Sequence, residues 1–246
     1  MTNLHLVYLG LYGFLVAYGI YMLFSYRIDP RYSLVYEKPP SFNRLLWLAP
    51  FEKLVLLILL VVLTLIPQSA RSLIGVFSLS TIAFTQYAFA VGMISGVLIF
   101  AGGVPVNALI STIRPRLSIP ETKRESELTQ LLTASMSKPR SHLFLNVFGA
   151  SILAGVLEEI IFRGYLLGHL QLVTLPVIAI VLQAIFSFAP QLYQGVYNGL
   201  LSLYGGILFG IVFFLSGSLL AAIVAHVAQD IVGFAFTFST ARMKKQ

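Results

Sequence analysis

Four formally charged residues stand out in the second half of the chain, because the sequence around them is compatible with a membrane. Between Ser141 and Ala241 the only Asp, Glu, Lys or Arg residues are Glu158, Glu159, Arg163 and Asp230. A charged side chain at the centre of a transmembrane helix costs roughly 2.5–3.5 kcal/mol when it faces lipid alone. We therefore expect the four residues to face one another or water, and to mark a functional site.

The spacing of the first three charges predicts how they are arranged. Glu159 and Arg163 are four residues apart and can form an ion pair along one face of a helix. Glu158 is rotated by about 100° from that face. A structural ion pair would explain Glu159 and Arg163, but it gives no reason for a second carboxylate beside them. We therefore predict that Glu158 is the carboxylate left free by the ion pair, in a cluster of acids where at least one carboxyl meets the condition for a general base.

A second pair of polar residues has the same spacing in the last apolar stretch. His226 and Asp230 are four residues apart, so His226 can meet an acid in its own helix or across a helical bundle. Glu158, Glu159, His226 and Asp230 together offer oxygen and imidazole ligands of the kinds that divalent metals accept. We predict no cofactor, and we leave a divalent metal at these four residues as an alternative.

The composition limits the classes of protein to which the chain can belong. Of its 246 residues 58% are hydrophobic and only 10% are charged, which excludes an ordinary soluble globular protein. The absence of Cys excludes disulfides, thiolate nucleophiles and zinc–thiolate sites. The net charge of +7 comes from Lys and Arg residues between apolar segments, so it indicates membrane topology rather than nucleic-acid binding.

Apolar stretches of suitable length predict an all-α, polytopic transmembrane bundle of about seven spans, with eight possible. The predicted spans are Leu4–Phe24, Leu54–Ile66, Leu73–Ile113, Leu143–Leu170, Leu172–Ala189, Gly199–Leu215 and Ser218–Phe238. The third is long for one upright helix, and we interpret it as one tilted span with an irregular start.

The polar loops predict the orientation of the bundle. Basic residues concentrate in the segments Tyr26–Lys53 and Arg114–Arg140 and at the C-terminus. The positive-inside rule places all three in the cytoplasm, in a multi-pass protein of the cell membrane. We predict two parts: residues 1–140, with N-terminal spans and two basic cytoplasmic loops, and residues 141–246, with the charged site.

Two stretches that carry the charged residues resemble the motifs of a known family. Leu157–Gly164 is similar to the EExxxR motif of the CAAX-protease and bacteriocin-processing (CPBP, or Abi) family of intramembrane glutamic endopeptidases. Ser216–Ala222 resembles the run that leads into the family's last motif, and His226 to Asp230 resembles HxxxN with Asp in place of Asn. The resemblance covers about Ser141–Phe238.

The resemblance implies a role for each matching residue. Glu158 would activate the attacking water, Glu159 and Arg163 would shape the site, and His226 would stabilise the oxyanion together with the residue at position 230. These roles agree with general chemistry, because a carboxylate can take a proton from water and donors stabilise the charge of a tetrahedral intermediate.

The sequence departs from the family pattern at two positions. The middle motif, FxxxH, falls in the segment Phe186–Gly195, which contains no His; Pro190 or Gln191 takes its place, depending on how the motif is aligned. Gln can orient water but cannot take its proton, so Gln191 is the candidate. The second departure is Asp230, whose carboxylate accepts hydrogen bonds where an Asn amide would donate them.

Three functions of different classes follow from these observations. The first is an intramembrane endopeptidase that cleaves a membrane-associated peptide or protein. The second is a pseudoprotease that serves as a membrane scaffold or immunity protein, because the middle-motif His is missing. The third is a transporter with intramembrane acids along its path, although the acids here cluster on two predicted helices. The expected partners are membrane lipids and a peptide or protein substrate, and no nucleic acid.

Overall fold

The computed structural model describes residues 86–116, 152–188 and 196–243, together with residues 58 and 191. Every regular element in these ranges is helical, as predicted. The first predicted span, nearly all of the second and most of the two basic loops lie outside the described residues. The count of seven spans and the division at residue 140 therefore stay predictions.

The first described helix, α1, is Gln86–Arg116. It is a single helix over the described part of the stretch that we predicted as one tilted span, and it continues past Ile113 into the predicted loop, ending in a turn that carries Arg114 and Arg116. Ser111 and Thr112 donate their hydroxyl hydrogens to carbonyls four residues earlier. These two hydroxyls are thus satisfied within the helix itself, as an apolar environment requires.

The helix α2 covers residues 152–173 and changes its winding along its length. Residues 152–159 and Gly168–Val173 are α-helical, and Ile160–Leu167 between them form an eight-residue π-helix. All seven residues from Ile161 to Leu167 are buried. The helix ends at Thr174, whose backbone is extended. The backbone N–H and the hydroxyl of Thr174 both donate hydrogen bonds to the carbonyl of Leu170. π-Helical segments are rare in proteins, and those that occur are often at functional sites. The one directly after Glu159 therefore indicates a candidate functional site in this part of α2.

Three helices complete the described part of the fold. They are α3, Pro176–Phe188; α4, Val196–Ser216; and α5, Leu219–Met243. Pro176 begins α3, where a missing backbone N–H costs nothing. Gly217 joins α4 to α5 with φ of +62°, a conformation that favours glycine. The hydroxyl of Ser218 then accepts a hydrogen bond from the N–H of Ala221 and caps the start of α5.

Among the described residues, three helices are long and apolar enough to cross a membrane. They are α1, α4 and the Leu219–Thr237 part of α5, whereas α3 has only 13 residues. The outer face of α3 exposes large apolar side chains such as Val177 and Val181. Lipid can cover such a face, so the described helices are those of a membrane protein.

Small residues allow the helices to approach closely. A Cβ on Gly92 or Gly96 of α1 would lie 2.7 or 2.4 Å from a backbone carbonyl oxygen of α5. A Cβ on Gly206 of α4 would lie 2.6 Å from the Ser187 hydroxyl of α3, and one on Gly210 would lie 2.8 Å from the Gln183 amide. Close contacts of this kind hold helices together in lipid, where apolar burial gives little driving force. They bring α1 against α5 and α3 against α4.

Candidate active site

Glu159 is the centre of the polar cluster and is fully buried. Its Oε1 atom accepts a hydrogen bond of 2.8 Å from Nη1 of Arg163, so the ion pair predicted from the spacing is present. The same oxygen lies 2.8 Å from Nδ1 of His226 on α5. One carboxylate oxygen therefore joins a charged partner on its own helix to an imidazole on another helix.

Arg163 connects α2 to α4 in addition to pairing with Glu159. Its Nη2 donates to the carbonyl oxygen of Gly206 at 3.0 Å, and Nε2 of Gln183 donates to the same oxygen at 2.7 Å. A side chain at position 206 would collide with α3, so glycine lets the two donors and the carbonyl meet. The guanidinium also lies 5.3 Å from the centre of the Phe209 ring, in a cation–π contact.

The orientation of His226 follows from its contact with Glu159. A carboxylate paired with an arginine accepts hydrogen bonds, so Nδ1 of the imidazole carries the hydrogen that it shares with Glu159. The other ring nitrogen, Nε2, is 3.9 Å from Oε2 of Glu158 and 4.0 Å from Oδ2 of Asp230. Nε2 is thus the nitrogen of His226 that faces the two remaining acids.

Glu158 and Asp230 lie on the more accessible side of the cluster. Their side chains are 14% and 31% exposed, whereas that of Glu159 is fully buried. Gln191 also belongs to this side, because its Nε2 donates to Oε1 of Glu158 across a long 3.5 Å. Of the two residues that could replace the middle-motif His, Gln191 contacts Glu158, and Pro190 lies outside the described residues.

All six predicted site residues meet in one place, and His226 adopts one of the two arrangements that its spacing left open. Its separation of 4.0 Å from Asp230 is too long for a direct hydrogen bond, and its short contact is with Glu159 across the bundle. The helix-to-helix contact is preferred because Arg163 fixes Glu159 in the interior, where it needs donors.

Sequence reasoning missed three residues that shape the site: Gln183, Gly206 and Phe209. Gln183 could have been noticed as an amide inside an apolar span, since buried polar groups require partners. Gly205, Gly206 and Gly210 indicate a helix face without side chains. They do not indicate which backbone carbonyl accepts a hydrogen bond from Arg163. No sequence signal distinguishes Phe209 from the other 18 Phe residues.

The acidic and histidine side chains of the cluster are of the types that bind a divalent metal ion. Across residues 86–116, 152–188 and 196–243, no three His, Asp or Glu side chains are grouped so that they could hold one. Glu159 already contacts Arg163 and His226, and Nε2 of His226 lies 3.9 Å from Glu158 and 4.0 Å from Asp230. The metal alternative stays a prediction that a chelator can test.

Comparison with known proteins agrees with the geometry. No curated protein and no solved structure matches the chain. Residues 140–232 match the family model described as type II CAAX prenyl endopeptidase Rce1-like. This segment contains the buried Glu159–Arg163 pair, the glutamate beside it and the histidine that reaches it from α5. Residues 140–232 are therefore similar to a family of CAAX prenyl endopeptidases, which agrees with the resemblance of the motifs to the CAAX-protease and bacteriocin-processing family.

Proposed function

We propose that this protein is an intramembrane endopeptidase that cleaves a membrane-associated peptide or protein, with Glu158 as the base that activates water. The observation that carries the proposal is the position of the His226 ring. Its Nδ1 is held by Glu159, and its Nε2 lies within 4.0 Å of both accessible carboxylates. A proton acceptor and a potential donor are thus close enough to act on the same oxygen atom.

The proposed reaction uses these groups in order. Glu158 accepts a proton from water, and the water oxygen attacks the carbonyl carbon of the scissile peptide bond. Negative charge moves to the carbonyl oxygen, and the N–H at Nε2 of a doubly protonated His226 stabilises it. The carbon–nitrogen bond then breaks, and the leaving amine takes the proton that Glu158 had received. Glu159 and Arg163 hold His226 and the helix in place without touching the substrate.

Gln191 and Asp230 make the proposed machinery different from the family pattern. The Gln191 amide donates to Glu158 and can orient a water, but it cannot share in taking the proton. Asp230 offers a carboxylate where the family motif has an amide, so it adds an acceptor rather than an oxyanion donor. We therefore expect a slow enzyme, in which Glu158 is the main base.

The substrate class follows from the setting of the site. Helices long enough to span a membrane surround it, so a substrate must reach it from the lipid or the interface. The matching family model is named for prenylated CAAX substrates, which makes a farnesylated C-terminal peptide the first candidate. A non-prenylated membrane peptide is the second. We further propose a multi-pass location in the cell membrane with the C-terminus in the cytoplasm, which a reporter fused after Gln246 can check.

The test is cleavage of both peptides by the purified full-length protein in lipid nanodiscs, with and without a chelator. We expect Glu158→Gln to lower the rate by about 10²- to 10⁴-fold, because the amide cannot accept the proton. Glu158→Asp keeps the carboxylate but moves it, so its cleavage rate should lie between those of the wild type and Glu158→Gln. Thermal unfolding of each variant shows whether the fold is intact. A Glu158→Gln protein that cleaves as fast as the wild type would refute the assignment of the base.

A pseudoprotease is the second candidate, and the long contact between Gln191 and Glu158 favours it. Where the family has a histidine, this chain has an amide at 3.5 Å that cannot move a proton. The same assay separates the two functions. If wild type and Glu158→Gln are equally inactive and both support the cellular function of the protein, it acts as a scaffold or immunity protein.

A further inference from the structure

Phe209 is an apolar residue that contacts two members of the polar cluster. It lies in α4 and is only 3% exposed. Its ring stacks on the imidazole of His226, with centroids 4.6 Å apart and an angle of 15° between the planes. The guanidinium of Arg163 is 5.3 Å from the centre of the same ring. Phe209 therefore touches both side chains that share Oε1 of Glu159.

The hydrogen bond to Glu159 alone does not fix the direction of His226. It holds one ring nitrogen, and the broad torsion about the last side-chain bond of histidine still allows the ring plane to tilt. Tilting would move Nε2 relative to Glu158 and Asp230. A parallel ring on one face of the imidazole restricts that tilt, since stacked aromatic rings prefer a limited range of geometries.

Phe209 is itself held firmly by its surroundings. It belongs to a core cluster with Ile99 of α1 and Ala225 of α5. One turn earlier, the hydroxyl of Tyr204 donates to the carbonyl of Ile99 at 3.1 Å. A helix outside the family-matched segment thus supports the residue on which His226 rests. The ring cannot move away without disturbing α1 and α5 together.

We propose that Phe209 is a positioning residue of the active site: its ring fixes the plane of His226 so that Nε2 is directed between Glu158 and Asp230. The importance of this for catalysis rests on the proposed endopeptidase function. Phe209 does not touch the substrate or the water, and it acts through the imidazole. Its effect should therefore appear in the state of the ring as well as in the rate.

The test compares two substitutions on the same helix in the full-length protein. Phe209→Leu removes the ring beneath His226 and keeps an apolar side chain. Phe213→Leu is the matched control, because Phe213 packs against the other core cluster, formed by α2 and α3. The first measurement is the ¹⁵N spectrum of the histidine rings, with His226 assigned from a His226→Gln sample; it requires no substrate. We expect a single His226 ring environment in the wild type and in Phe213→Leu, and averaged signals in Phe209→Leu.

The second measurement is the kinetics of peptide cleavage. Phe209→Leu should lower kcat about ten- to a hundredfold, because the donor is misaligned, and should change KM less than about twofold. Phe209→Tyr, which keeps the ring, should restore a single His226 environment. If Phe209→Leu does not fold, Phe209→Met carries the same expectation.

The possible outcomes separate this proposal from the endopeptidase proposal. An unchanged His226 signal in Phe209→Leu, or an equal change in Phe213→Leu, overturns the positioning role. If the wild type is inactive on peptides but the His226 signal changes only in Phe209→Leu, the role of the ring stands and the endopeptidase function fails.

Discussion

The two sides of the polar cluster are built in different ways. On the inner side Glu159 and Arg163 are almost completely buried, and Glu159 has contacts of 2.8 Å with Arg163 and His226. The outer side, where Glu158 and Asp230 face Nε2 of His226, is 14% to 31% exposed and has separations of 3.9 and 4.0 Å. The same imidazole belongs to both sides, through its two nitrogens.

This difference shows how a membrane protein can use charges for two purposes. Buried groups must be paired at short range, because an unpaired charge away from water is expensive. Groups that act on a substrate need room for it and for a water, so they cannot be fully paired with one another. In the proposed endopeptidase, the inner side would accordingly fix the geometry and the outer side would carry out the chemistry.

Breaking the inner side should have the largest effect on stability. Arg163→Ala would leave the buried Glu159 carboxylate without its cation and the Gly206 carbonyl without one of its donors. We expect a loss of about 3–5 kcal/mol, as for other buried pairs from which one partner is removed. The measurement is yield and thermal unfolding in detergent.

Arg116→Ala is the control for the inner side, because Arg116 is exposed at the end of α1. We expect it to change stability by less than about 0.5 kcal/mol. Normal yield and melting of Arg163→Ala would mean that the pair does not stabilise the fold.

A smaller effect should come from disturbing the helix that carries His226. Gly96→Val would place methyl groups where a Cβ alone is already 2.4 Å from the carbonyl of Ala225. Separation of α1 from α5 should lower stability by about 1–3 kcal/mol, as overpacking does in other cores, and should lower activity through His226.

Gly103→Ala provides a matched control on the same helix. Its Cβ would meet only a Tyr204 ring atom, at an ordinary 3.7 Å, so we expect it to be neutral or slightly stabilising. If both variants melt like the wild type, the close approach of α1 and α5 does not support the site.

The smallest expected change would sharpen the outer side rather than break it. Gln191→His would replace an amide that contacts Glu158 with a side chain that can accept a proton. We expect a rate about tenfold higher, equivalent to roughly 1.4 kcal/mol, because only part of the usual acid–base contribution is recovered. The measurement is the rate of peptide cleavage, and stability should be unchanged.

Gln191→Asn tests whether the chemistry of the new side chain matters. It keeps an amide and shortens it, so it should not raise the rate. An equal gain from His and Asn would contradict the proton-acceptor explanation and indicate that release of a crowded contact was responsible.

Some of the site was predictable from the sequence because it depends only on helix geometry. The pair between Glu159 and Arg163 follows from a spacing of four residues, and Glu158 could be separated from it by rotation about the same helix. The π-helical winding after Glu159 was not predictable, since no local pattern announces it. It keeps the pair intact but buries seven consecutive residues, which an amphipathic α-helix would not do.

The choice of partner for His226 shows the limit of local reasoning. Its spacing to Asp230 suggested a pair within α5, yet the short contact is with Glu159 on α2. The two options differ in how close α2 and α5 come to each other. Gly155 of α2 lies at this contact, where a Cβ would be 3.2 Å from the side chain of Val227 and 3.6 Å from that of His226. A glycine at position 155 carries no chemistry and gave no reason to be connected with the site.

The sequence by itself determined that the chain forms membrane helices, that its few intramembrane charges must meet, and which of them share a helix face. These properties follow from hydropathy, from the cost of a charge in lipid and from the fixed rotation per residue. Only the tertiary structure decided that Glu159 is the hub, that Gly206 and Gln183 complete the contacts of Arg163, and that Phe209 lies against His226. Contacts between helices depend on packing between residues far apart in the chain, and no local pattern contains that information.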